Sequence, residues 1–280
     1  MDLQAFFKNE GIPLYTALPF EVCKVINPRL LERTLPDARS VLLFILPYYT
    51  GRDEGNLSLY ARSKDYHLYA KELCGKLSAL LSEAFPEHHF CSFVDHSPIN
   101  EVHACGLGGL GVIGDNGLLI TKDYGSFIFL GEVLSDLEYS AFGLPEPALH
   151  IEGCLHCGKC RQACPCHFED CASGISQKKG TLTPEEQELF FKTDLIWGCD
   201  HCQLVCPLNK NAQKTAIPFF YEERINTLTA EGLDAMSKEE FEKRAFAWRG
   251  RAVPQRNLAL WAERAERNAP TINPEKETTS

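Results

Sequence analysis

The apolar positions change period along the chain, and each change marks an element. Ser40–Leu46 (SVLLFIL) is a continuous apolar, β-branched run stopping at Pro47, the pattern of a buried strand. From Asp65 to Phe85 the leucines Leu68, Leu73, Leu77, Leu80 and Leu81 recur at three- and four-residue steps, which predicts a helix. Phe90–Val94 is a second predicted strand, and Ile99–Ala104 reads as helical. Leu118–Ile120 and Ser126–Leu130 are predicted to pair across the turn residues Asp123–Gly125. Thr183-Pro184-Glu185-Glu186 is a helix start, with a Thr N-cap, Pro at the first position and Glu at the third.

Three segments and a tail follow. Residues 1–150 read as an α/β domain. Residues 151–215 form a second domain, cysteine-rich up to residue 210 and short of large apolar side chains, so metal rather than an apolar core is expected to hold it. Residues 216–268 read as a helical C-terminal segment, and 269–280 as a disordered tail. No internal repeat is visible beyond two cysteine runs.

The 280 residues, 44% hydrophobic and 24% charged, suit one large domain or two to three smaller ones. The longest apolar stretches, such as Val41–Leu46, are too short to span a bilayer. The start, MDLQAFFKNEGIPLY, lacks a basic region followed by an apolar one, so no secretory signal and a cytoplasmic location are expected. A net charge of −10 opposes phosphate-backbone binding on average but leaves room for a local basic patch.

Thirteen cysteines in a reducing compartment point to metal rather than disulfides. Cys23, Cys74, Cys91 and Cys105 are scattered and read as small hydrophobes. The other nine lie within Cys154–Cys206. Cys154-x2-Cys157-x2-Cys160-x3-Cys164-Pro165 has the spacing of a bacterial ferredoxin run, whose fourth cysteine serves the other cluster. The second run, Cys199-x2-Cys202-x3-Cys206-Pro207, lacks its first member, since Ile196 stands there. Crossing over, Cys206 completes the set Cys154, Cys157, Cys160, and Cys164 joins Cys199 and Cys202. The remaining ligand is Cys166 or Cys171. Cys171 is the better candidate, because Cys166 sits two residues from Cys164 across Pro165. Zinc is the competing reading of CxxC pairs, but it needs only four ligands and no Cys-Pro endings.

Weaker signals remain. GLGGLG (Gly106–Gly111) and GLGVIG (Gly109–Gly114) fit the dinucleotide pattern formally, but a helical stretch precedes them and Asp115-Asn116-Gly117 is a turn. A close-approach loop toward something large and flat, or simply a tight connection, is the better reading. Asp95 follows the FCSFV strand, as either a turn residue or a site residue. His67, His88, His89 and His103 read as ordinary surface or capping residues, and His156, His167 and His201 are not counted as ligands. Phe241–Leu260 carries Lys243, Arg244, Arg249, Arg251 and Arg256 around Trp248, either as a solvated helix face or as a phosphate or RNA surface.

Taken together, GCDHCQLVCPLNK, the first cysteine run, CASGISQKKG and FVDHSP…GLGVIGDNGLLI…GSFIFLGE resemble the epoxyqueuosine reductase family over roughly residues 40–260. The resemblance implies an N-terminal cobalamin-binding-type domain related to reductive dehalogenases, then a ferredoxin-like domain with two 4Fe–4S clusters. It implies reduction of epoxyqueuosine to queuosine in tRNA, with an external electron donor such as a flavodoxin or ferredoxin. Asp95 falls on the family's proton donor, which would have to hold its proton near neutral pH. Tyr60 and Asp65 match residues ahead of the substrate site. Gly111, Gly114 and Ser126 match the loop and strand near the corrin. Asp200 and His201 lie where the family contacts cobalamin, and Cys171 matches its isolated ligand.

This chain departs from the family at several positions. P-x-L-E-R stands as Pro98-Ile99-Asn100-Glu101-Val102, without the arginine. G-W-x-G-K stands as Gly111-Val112-Ile113-Gly114-Asp115, without the tryptophan and lysine. The family's helical-repeat extension is expected to be missing. With the acidic charge, these leave two alternatives open: a corrinoid-dependent reductase of a small molecule, and a non-catalytic electron carrier.

Overall fold

The computed structural model describes residues 1–268; the predicted tail, 269–280, lies outside them. In chain order the elements are α1 (Leu3–Asn9), β1 (Tyr15–Pro19), α2 (Pro28–Thr34), β2 (Ser40–Pro47), α3 (Tyr66–Ala84), β3 (Phe90–Phe93), α4 (Glu101–Leu107), β4 (Val112–Ile113), β5 (Leu119–Ile120) and β6 (Ile128–Ser135). Then come α5 (Lys159–Ala163), α6 (Ala172–Gln177), α7 (Pro184–Phe191), α8 (His201–Leu204), α9 (Ala230–Ala235), α10 (Lys238–Glu242) and α11 (Ala252–Asn268).

Every residue of β2 is buried, as its unbroken apolar run predicts. It sits second in an antiparallel sheet of order β1-β2-β6-β3. Its alternate residues serve two cores, because successive strand side chains point to opposite faces. Leu42, Phe44 and Leu46 pack with Phe7 of α1 and Leu73, Leu77 and Leu81 of α3. Val41, Leu43 and Ile45 pack with Leu18 and with Ala104 and Cys105 of α4. Helices therefore cover both sheet faces. The leucine spacing of α3 places one stripe inward while Leu68 stays exposed.

The expected hairpin between Leu118–Ile120 and Ser126–Leu130 does not form as a ladder. β5 pairs with β4, and β6 pairs with β2 and β3. Only a bridge between Thr121 and Gly125 remains of the turn. The longer partner wins: β6 gains eight paired positions against β2.

Residues 151–210 also bury more apolar surface than expected. Cys166, Ala172, Ile175, Leu182 and Phe190 form a core between α6 and α7, whose Thr183 start carries the predicted capping box. A further core joins Leu57 and Ala61 to Ile196, Trp197, Phe241 and Phe246. Ile217 and Phe220 return to the core of α1 and α3. Beyond residue 216 the chain is helical only in short pieces until α11.

Candidate functional site

Helices α5 and α8 each begin inside a cysteine run and pack against one another. One cavity at the start of α5 is lined by Cys154, Cys157, Cys160 and Cys206, with Gly114, Asp115 and Asn116 on its wall. A second group of thiols shares an electrostatic environment: Cys202 lies within reach of Cys171, Cys164 and Cys160, and Cys199 within reach of Cys202 and Cys171. Burial first, then neighbouring groups, pushes the Cys199 thiol up to about 12 and the Cys202 thiol up to about 11. Holding such sulfurs as thiolates requires a nearby positive centre, which is what a metal cluster provides. Cys166 is different. It is 5% exposed in the α6–α7 core, whereas Cys171 is exposed.

His156 donates its backbone N–H to Cys154 Sγ at 3.4 Å, and its ring meets Asp115 Oδ1 at 2.8 Å. Asp115, Cys154 and His156 present ligand atoms within 4.8 Å of one another. The carboxylate and imidazole of this trio are already paired to each other.

The loop carrying the second run is bolted to the segment just before β6. Gln203 donates to Ser126 O at 2.8 Å, Ser126 Oγ at 3.1 Å and Tyr48 OH at 3.2 Å. Asn209 donates to Ser126 Oγ at 2.8 Å and accepts the Ser126 N–H at 2.9 Å. Asp200 Oδ2 accepts the Leu59 N–H at 2.7 Å, while its Oδ1 is buried without a partner. Burial pushes the Asp200 carboxyl up to about 6. His201 Nε2 lies 3.3 Å from Thr193 O.

Gly198 sets the entry to this loop. Its φ is +78°, and a Cβ there would lie 2.0 Å from Ser58 Oγ. Gly198→Ala is therefore expected to destabilise the protein by roughly 2–4 kcal/mol, from backbone strain plus overpacking. Denaturant melts of the two proteins measure it, and an unchanged midpoint would show that the loop can relax.

Asp95 stands on the other side of an aromatic ring. Its backbone is left-handed, φ +65°, and its side chain is 66% exposed. Tyr66 OH donates to Asp95 Oδ2, and His67 Nε2 is 3.6 Å from the same oxygen. Asp65 caps α3 by accepting the His67 N–H at 3.0 Å and holds His67 Nδ1 at 2.8 Å. Two buried carboxyls pin the loop from below: Glu101 accepts the Asp95 backbone N–H, and Glu132 accepts from Ser97 Oγ at 2.5 Å. Burial, then the Asp95 charge, pushes Glu101 up to about 7. The Tyr66 ring stacks on Phe129 at 3.6 Å, and Tyr60 meets Phe129 edge-on at 6.3 Å. Tyr60 OH in turn accepts from Gln177 Nε2 at 3.3 Å. A continuous line of side chains thus runs from Asp95 through Tyr66, Phe129 and Tyr60 to the Asp200 loop.

The residues expected at a corrin have different immediate surroundings. Tyr60, Asp200 and His201 lie beside the thiols, and Asp65 lies beside Asp95. Gly111 lines a separate cavity of 610 Å³ with Lys122, Asp123, His150 and Glu152. Gly114 lines the thiol cavity, and Ser126 is spent on the Gln203–Asn209 clasp. Both glycines have packing reasons of their own, since Cβ atoms there would lie 2.5 Å from Ile120 O and 2.4 Å from Asn116 Oδ1. Sequence reading missed Tyr66, His67, Glu101 and Gln203. Only the adjacency of Tyr66 and His67 to Asp65 could have hinted at them.

The basic stretch is mostly structural. Arg244 donates to Glu223 O at 2.5 Å, Arg251 to Met236 O at 2.9 Å, and Arg256 to Gly180 O at 2.7 Å. Lys243 pairs with Glu239 at 2.8 Å. Arg249 alone lies over an exposed ring, 3.6 Å from the centroid of Trp248. Trp248 is 57% exposed, and its Nε1 donates to Gln177 Oε1 at 3.1 Å.

An α/β sandwich carrying this cysteine array and a presented carboxyl defines an oxidoreductase. Residues 29–96 match the family described as Epoxyqueuosine reductase QueG, DUF1730. An epoxyqueuosine reductase of Synechocystis sp. is 32% identical over 214 residues, covering 70% of this chain and 72% of that protein. One from Gloeobacter violaceus is 30% identical over 232 residues, covering 76% and 71%. The fold superposes on a selenomethionine-labelled epoxyqueuosine reductase with a TM-score of 0.75 at 24% identity, over 92% of this chain and 79% of that one. An epoxyqueuosine reductase solved with an epoxyqueuosine-modified tRNA stem loop gives the same TM-score. The chain belongs to the epoxyqueuosine reductase family. Among its described residues no helix is long and apolar enough to cross a membrane.

Proposed function

We propose that this chain reduces epoxyqueuosine to queuosine in tRNA, using two 4Fe–4S clusters and a corrinoid. The observation that carries the reading is the line of side chains from Asp95 across Phe129 to the cysteine-bearing loop. Residues 1–150 would provide the substrate side, 151–215 the clusters, and 216–268 the helical segment closing over both.

Cys154, Cys157, Cys160 and Cys206 would hold one cluster, supported by their shared cavity. Cys164, Cys171, Cys199 and Cys202 would hold the other, supported by their mutual electrostatic influence. Eight thiols with two Cys-Pro endings fit clusters better than zinc. For the corrinoid, the fit rests on Tyr60, Asp200 and His201, where the orphaned Asp200 Oδ1 calls for a donor of the kind corrin amides offer. Asp65, Gly111, Gly114 and Ser126 support the fold around it. When bound, a corrinoid would supply the electron-transfer chemistry between the clusters and the substrate.

This chain's own residues handle the proton. Removing an epoxide oxygen as water, leaving a double bond, takes two electrons and two protons. Asp95 gives a proton to the departing oxygen, held in place by Tyr66 and by Glu101 at its amide.

A corrinoid-dependent reductase of a small molecule is the second reading, favoured by the arginines spent on backbone carbonyls. The test is turnover by anaerobically reconstituted protein with cobalamin and a strong reductant. An epoxyqueuosine stem loop should lose one oxygen by mass. Turnover of the free nucleoside but not the stem loop would favour the second reading. Trp248→Ala is expected to weaken stem-loop binding roughly tenfold, the loss of one stacked base, and to leave nucleoside turnover alone. Unchanged stem-loop affinity in a filter-binding assay would remove Trp248 from the RNA surface.

A further inference from the structure

A single carboxyl can give only one proton at a time, and the proposed reaction consumes two at the same oxygen. Something must recharge Asp95. His67 is placed to do so. Its Nδ1 is held at 2.8 Å by Asp65, whose other task is capping α3, and its Nε2 points to Asp95 Oδ2 at 3.6 Å. Helix geometry fixes this arrangement: the cap residue and the ring two positions later share the first turn, so the ring cannot swing away without losing the carboxylate. The ring is half-exposed, with Asp65 at one nitrogen and Asp95 at the other.

We propose that His67 is the group that returns a proton to Asp95 during turnover, with Asp65 orienting its ring. The inference rests on the reading of Asp95 as proton donor. The proton on Nε2 of the imidazolium passes to Asp95 Oδ2, the neutral ring takes a proton from water, and electrons come only from the external donor through the clusters. The 3.6 Å gap is longer than a hydrogen bond and closes by a small rotation or one water. Asp65 and Tyr66 face the ring from its own helix region, and Asp95 and Glu101 stand on the β3–α4 side. The hydrogen bond to Asp65 first, then the charges of Asp65 and Asp95, hold the imidazolium proton above the ordinary histidine range despite partial burial. A donor that is protonated below its pKa gives a rate that falls as pH rises through it.

Two measurements decide the matter. The first needs no turnover: the His67 ring is titrated by NMR in the wild type and in Asp95→Asn. Replacing the Asp95 carboxyl should shift the His67 midpoint, because the two side chains compete for one proton, and identical midpoints would overturn the proposal. The second is stem-loop turnover by His67→Gln. We expect kcat to fall roughly 10- to 100-fold with KM within about twofold, the alkaline limb of the rate profile to flatten, and added imidazole to restore much of the rate. Wild-type kcat in His67→Gln, or a loss that imidazole does not restore and that leaves the pH profile in place, would overturn it. Should the wild type itself reduce no epoxyqueuosine, the functional reading falls while the titration still decides the contact.

Discussion

Cys171→Ser is expected to purify with about half of the wild-type iron and sulfide and with the signal of one cluster only. The second cysteine run lacks its first member, and two thiols compete to replace it. Cys171 is exposed and electrostatically close to both Cys199 and Cys202. Cys166 is packed in the α6–α7 core, and burial pushes its thiol up to about 11, the behaviour of a small hydrophobe. Cys166→Ser should therefore keep both clusters and cost about 1–3 kcal/mol, the price of a buried hydroxyl without a partner. Cys206→Ser should also halve the iron, but by removing the other cluster. Iron analysis with electron paramagnetic resonance of the reduced proteins separates the three variants. Full iron in Cys171→Ser together with half in Cys166→Ser would reverse the ligand assignment. Cys171 stands at the N-terminus of α6, so Cys171→Ser should also expose α6 and the segment before α7 to protease.

Asp95→Asn is expected to lower kcat by about 10²–10⁴-fold, with both clusters retained and KM within about twofold. The substitution is chosen to leave the fold alone. Asn adopts the left-handed region at least as readily as Asp, so φ +65° imposes no new strain. The amide oxygen still accepts from Tyr66 OH, and the backbone N–H still reaches Glu101. What is lost is the acidic proton. Asp95→Ala would confuse that loss with a backbone penalty of about 1–2 kcal/mol. Single-turnover assays with pre-reduced protein isolate the step, and wild-type rates in Asp95→Asn would remove Asp95 from the reaction.

Much of the fold could be read from local pattern. β2, α3, β3, α4 and the Thr183 capping box stand where period and capping chemistry put them. The hairpin before β6 was misread because turn residues at Asp123–Gly125 are a local signal, while β6 is claimed by a longer ladder with β2, many residues earlier. The arginines of Phe241–Leu260 could equally have been a solvated face or a phosphate surface. Arg244, Arg251 and Arg256 instead donate to backbone carbonyls 14 to 80 residues away, contacts that no period encodes.

The candidate site divides the same way. Spacing alone picked out two runs, of four and three cysteines, among the nine clustered ones, because the covalent chain limits which thiols a short loop can bring together. It also marked Asp95 at a strand end. Only the tertiary structure set Tyr66 and His67 against Asp95, laid Phe129 between that loop and the thiols, and sent Gly111, Gly114 and Ser126 to three different tasks. Those relations come from packing α3 and α4 on opposite faces of one sheet. The sheet's pairing order, β1-β2-β6-β3, brings distant segments side by side at hydrogen-bond range.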